Sequence, residues 1–68
     1  MKRRNWYIVT ATNLVTGETI LRWPFRERVM VDTFDRARAL LERFGLWHDR
    51  HISMHGKKVK AREALGYA

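Results

Sequence analysis

Hydrophobic and polar positions along this chain change their period partway through. Trp6 to Thr12 (WYIVTAT) is aromatic, β-branched or small, the composition of an extended strand. Glu18 to Trp23 (ETILRW) repeats that character. Between them, Asn13 to Gly17 (NLVTG) carries turn chemistry, with Asn at the entrance and Gly where a positive φ is needed. The pair predicts a β-hairpin centred near Val15, matching Thr12 with Glu18, Val9 with Leu21 and Tyr7 with Trp23. One face then shows Tyr7, Val9, Ala11, Thr19, Leu21 and Trp23. The other shows Trp6, Ile8, Thr10, Thr12, Glu18, Ile20 and Arg22. The first face is the more apolar and is expected against a helix; a one-residue bulge would exchange part of the assignment. Pro24 ends the second strand or marks it as an edge.

The period then becomes helical. Thr33 to Gly45 (TFDRARALLERFG) predicts the main helix, with Thr33 as N-cap and Asp35 in the first turn, where the helix dipole favours negative charge. Phe34, Ala37, Leu40, Leu41 and Phe44 form its apolar stripe. Gly45 takes the left-handed conformation that ends it, and Leu46 folds back on the last turn. Before the helix, Val29 to Val31 reads as a short third strand and Phe25 to Arg28 as a charged loop. After it, Trp47 to Arg50 is a connection. His51 to His55 alternates as a strand, with Ile52 and Met54 on one side and His51, Ser53 and His55 on the other. Gly56-Lys57 reads as a turn or break. Ala61, Ala64 and Leu65, with Gly66 behind them, leave room for a short C-terminal helix that needs tertiary contacts to hold. The expected class is α+β: a small antiparallel sheet, the hairpin plus one or two further strands, packed on one main helix in the order ββ(β)αβ. Residues 1–5 read as a basic N-terminal arm and 6–68 as a single domain.

Composition bounds what this fold can do. Sixty-eight residues make one small domain, and 46% hydrophobic residues are enough for a core. The chain has no cysteine, which excludes disulfides and thiolate metal sites and fits a reducing compartment. The apolar run after the basic start, Trp6 to Val9, is too short for a signal core or a membrane span. A cytoplasmic protein is expected.

Charge adds direction. Fourteen Lys and Arg stand against seven Asp and Glu, a net charge of +7. Residues 1–31 hold six cations and two anions, residues 32–49 three and four, and residues 50–68 five and one. The helix is therefore near neutral and its two flanks are basic. Clustered cations bind phosphates by releasing counterions, and neighbouring aromatics add base stacking. The expected contact set for nucleic acid, DNA or RNA, or for another partner is Lys2, Arg3, Arg4, Trp6, Arg22, Trp23, Arg26, Arg28, Lys57, Lys58, Lys60 and Arg62.

Other chemistry is weaker. His48, His51 and His55 would share a face on a helix, but Gly45 and the alternation of Ile52 and Met54 argue for extended chain, so no metal site is expected. Ser53 between two histidines near Asp49 is adjacency, not a positioned triad, and no catalytic residue or cofactor is expected. In Thr33, Phe34, Ala37 and the order of strands before helix, the chain resembles small DNA-binding domains of plant transcription factors and recombinase arms. In those, such a helix backs a three-stranded sheet that enters the major groove. The strands here lack those domains' glycine and aromatic pattern, and the chain runs on beyond them, so no family is assigned. The leading expectation is a small, basic, non-enzymatic module for nucleic acid. The alternative is a small protein-binding inhibitor or adaptor of the phage or mobile-element kind, like anti-CRISPR proteins, acting on a larger protein or ribonucleoprotein. A homodimer joined through hairpin edges or the outer face is a third reading.

Overall fold

The computed structural model describes residues 3–66; Lys2, part of the expected arm and contact set, lies outside the described residues. The hairpin consists of β1 (Asn5–Asn13) and β2 (Thr19–Glu27), so β1 already begins inside the stretch expected as an arm. The side-chain oxygen of Asn13 accepts from the backbone N–H groups of Val15 (2.8 Å) and Thr16 (3.2 Å), and Gly17 supplies a φ of +77°. Tyr7 pairs with Phe25, Ile8 with Pro24 and Val9 with Trp23, two residues further along β2 than the turn chemistry suggests. A shift of two preserves both faces, so Tyr7, Val9, Ala11, Leu21 and Trp23 stay together as expected. A bulge between Ala11 and Thr12 brings Thr19 opposite Thr12 and so onto the other face, correcting its assignment. The longer pairing places Phe25 beside Tyr7, where both are buried, and this burial turns the expected charged loop into strand as far as Glu27. Pro24 does not end β2. It lies within an edge strand, where a missing ladder donor is tolerated.

The helix α1 spans Met30–Arg43, one turn longer at its start than the capping signal implies. The expected third strand at Val29 to Val31 is absent: Val29 is the extended N-cap residue without a side-chain cap bond, and Asp32, not Asp35, occupies the first turn. Thr33 is no cap. It is fully buried inside α1, and its hydroxyl donates to the Met30 carbonyl at 2.5 Å. Burying Met30 and Thr33 against the sheet outweighs a local cap. Val9, Phe25 and Ala37 form the core, with Leu21, Phe34, Leu40 and Met54 packed against it. Phe44 was expected in this stripe but is 68% exposed, because it sits at the C-cap where the helical twist has ended. There Gly45, at φ +71°, donates to the Glu42 carbonyl and Leu46 donates to that of Leu41 at 2.8 Å. These two bonds are the expected glycine stop with Leu46 folded back.

The chain then returns as β3 (Ile52–Val59), antiparallel to β1, giving the sheet order β2-β1-β3. Ile52 and Met54 do alternate away from His55 and Ser53, and Met54 joins the core opposite Ala11. Gly56 is neither turn nor break. It lies mid-strand opposite Val9, and a Cβ there would collide with the Met30 thioether and come within 3.1 Å of the Phe34 ring. Absence of a side chain lets α1 lie close on β3. Gly56→Val is expected to destabilise the fold by about 1–3 kcal/mol through overpacking, read as a lower urea midpoint with an unchanged slope.

Directly after β3, α2 (Ala61–Leu65) packs on the sheet face opposite α1. Ala64 is fully buried, and Ile8 and Pro24, which point away from α1, are buried with it. The order is ββαβα, an α+β fold. Only two strands precede the main helix, so the element order departs from the DNA-binding domains that the sequence resembles. Among the described residues no helix is long and apolar enough to cross a membrane.

Candidate functional site

The two basic flanks, far apart in sequence, meet at one end of the sheet. β1 starts there, with Arg3 and Arg4 just before Asn5. Asn5 pairs with Glu27, which brings Arg26 and Arg28 alongside. Trp6 pairs with Val59, which brings Lys58 and Lys60 to the other side of the same strand end. All six of these side chains are exposed. Arg62, also exposed, follows on α2.

The second grouping lies on the sheet face away from α1, where the register defines cross-strand rows. Arg26, Trp6 and Val59 form the first row; Pro24, Ile8 and Lys57 the second; Arg22, Thr10 and His55 the third; Thr19, Thr12 and Ser53 the fourth. α2 covers the second row, which is why Ile8 and Pro24 are buried. Beside α2 the face opens into a groove of about 260 Å³ lined by Ile8, Thr10, Arg22, His55, Lys57, Val59 and Glu63. Its charged walls are formed by Arg22, Lys57 and Glu63, with His55 on the same strand as Lys57.

Ion pairing engages two of the three arginines on α1. Among the described residues, the ion pairs are Arg36 with Glu27, Arg38 with Glu42 at 2.9 Å and Arg38 with Asp49 at 3.7 Å. Arg38 also lies over the Trp47 ring, 4.8 Å from its centre, and the Trp47 indole N–H donates to Asp49. The hydrogen bond to Glu42 outweighs desolvation and, with the charges of Glu42, Asp49 and Asp35, holds the Arg38 guanidinium above its ordinary value. Arg36 and Arg38 are thus engaged in holding α1 to β2 and to the connection after α1. Among the described residues, Arg3, Arg4, Arg22, Arg26, Arg28, Lys57, Lys58, Lys60 and Arg62 form no ion pair.

The aromatic part of the expected site changes. Trp6 is half-buried in the row next to α2, and Trp23 is 46% exposed on the α1 face, opposite Val9. The two tryptophans therefore lie on opposite faces and make no common stacking platform. Thr10, His55 and Glu63 join the groove although they are absent from the expected set. His55 was readable from its alternation with Met54, but only once Gly56 is placed inside a strand. Glu63 was not readable, because its place depends on the turn that carries α2 across the sheet. Among the described residues, no three His, Asp or Glu side chains gather as metal ligands would. Comparison with protein-family models, with curated proteins and with solved structures returned no match to this chain.

Proposed function

We propose that this chain is a small, non-enzymatic module that binds nucleic acid in the cytoplasm through the phosphate backbone, using the cationic sheet end and the adjoining groove face. The supporting observation is the division of its charges. Glu27, Glu42 and Asp49 engage the helix arginines Arg36 and Arg38, while ten exposed cations of the two flanks, Arg50 among them, and Arg43 of α1 stand without ion pairs among the described residues. Unpaired cations clustered at one end of the sheet are what counterion release draws on, and a solvated basic surface without a ligand gains nothing from such clustering. In this reading Arg3, Arg4, Arg26, Arg28, Lys58, Lys60 and Arg62 hold phosphates at the sheet end, and Arg22 and Lys57 hold them at the groove. Titration with duplex and single-stranded DNA and RNA at two salt concentrations tests it. Binding that weakens steeply with salt is expected; no binding at low salt would end the reading.

A second reading, an inhibitor or adaptor docking on a larger protein, is supported by a different surface. Phe25, Ala39 and Leu40, rimmed by Arg36 and Arg43, line a groove of about 270 Å³ between α1 and β2. Exposed Phe44 and Leu46 follow at the end of α1. A partner retained from a lysate after nuclease treatment would favour this reading over the first. Homodimerisation through sheet edges has less support, since β2 carries Pro24, which has no N–H to donate, and Lys57 and Lys58 charge β3, both devices that discourage edge pairing.

A further inference from the structure

The groove beside α2 differs from the cationic sheet end in one respect: it contains a carboxylate. Arg22 and His55 stand in one row on either side of Thr10, and Lys57 stands next to His55 on the same face of β3. Glu63 closes the groove from α2. No ion pair within 4.0 Å joins Glu63 to Arg22, His55 or Lys57, although all four line the same groove. A pure phosphate seat would be weakened by Glu63. A ligand that presents a phosphate to one wall and a hydrogen-bond donor to the other would satisfy both. A ribonucleotide unit does this, because its 2′-hydroxyl lies next to the phosphodiester, and that hydroxyl is what a protein uses to tell RNA from DNA.

We propose that the groove holds one ribonucleotide of a bound single strand. The phosphate is taken by Arg22 and Lys57, with His55 and the Thr10 hydroxyl donating hydrogen bonds, and the 2′-hydroxyl donates to the Glu63 carboxylate. This rests on the nucleic-acid reading above and adds to it a preference for RNA over DNA. The groove volume of about 260 Å³ is on the scale of one sugar-phosphate unit. Among the described residues, no Trp, Tyr or Phe lines the groove, so it offers no large aromatic platform for a base. Recognition is accordingly of the sugar and not of the sequence.

Fluorescence anisotropy with a ribo- and a deoxyribo-oligonucleotide of one sequence, ten nucleotides long, tests this on the full chain. The wild-type protein is expected to favour the ribo strand by about ten- to a hundredfold, the scale of one hydrogen bond to a charged acceptor. Glu63→Ala is expected to abolish that preference and to strengthen DNA binding about threefold, since a like charge has been removed from beside the phosphate. Glu63 is exposed, so the variant is not expected to lose the fold. Lys57→Ala should weaken both strands and leave the preference in place. Equal affinity of the wild-type protein for the two strands, or a preference that survives Glu63→Ala, would overturn the proposal while leaving the phosphate-binding module intact. Binding of neither strand would overturn both.

Discussion

Replacing Leu41 by Ala is expected to remove about 3 kcal/mol of stability, the usual loss when a buried leucine is truncated to leave a cavity. Leu41 is 2% exposed and, among the described residues, is the largest side chain buried this completely. It also anchors the end of α1, because its carbonyl receives the N–H of Leu46. A domain of this size has a total stability of only about 3–10 kcal/mol. The variant should therefore be substantially unfolded at moderate temperature, seen as lost helical circular dichroism at 222 nm and a lowered urea midpoint. Phe44→Ala is the matched control. Although Phe44 looks like part of the same stripe, it is 68% exposed and should change stability by less than about 0.5 kcal/mol. Equal losses from the two variants would mean that the register of α1 on the sheet is wrong.

The second large effect concerns binding. A triple variant, Arg4→Ala with Arg28→Ala and Lys60→Ala, removes one exposed cation from each of the three segments meeting at the sheet end. Affinity for a ten-nucleotide strand at low salt should fall about a hundredfold. The slope of log affinity against log salt should flatten by about two, since each lost phosphate contact on a single strand removes about 0.7. Arg43→Ala removes an unpaired cation from α1 and should change affinity by less than about twofold, because a charge away from the contact acts mainly through the local field. A reversed result, with α1 essential and the sheet end dispensable while both variants remain folded, would place the working face on the helix side and favour the protein-docking reading.

What the sequence shows and hides follows from the range of the forces involved. The two faces of the hairpin were readable because side-chain alternation has a period of two, and the actual shift of two residues leaves Val9 and Leu21 on the same side. Gly45 was readable because a left-handed stop is local chemistry. Thr33 misled for the same reason. It carries a local capping signal, but Met30 gains more by packing over Gly56 than Thr33 would by capping, and so the helix starts earlier. Pro24 and Gly56 have the look of breakers in isolation. One is tolerated because β2 is an edge strand and the other is required because α1 comes close, and both facts belong to the assembled sheet. The cations were readable individually. Their grouping was not, because Arg22 meets His55 only through Thr10 on the central strand, and Glu63 meets them only through α2.

That central strand has a thermodynamic consequence. β1 pairs with β2 through a short turn, but with β3 only after the whole of α1 has been placed between them. The groove takes Thr10 from β1, Arg22 from β2, His55 and Lys57 from β3 and Glu63 from α2, so no partly folded chain presents it. A ligand held there binds the native state alone, and its binding energy is added to the stability of the whole domain. At a free ligand concentration one hundred times its dissociation constant the gain is about 2.7 kcal/mol. That is close to the expected loss from Leu41→Ala, so saturating RNA should refold the truncated variant and restore slow hydrogen exchange along β3.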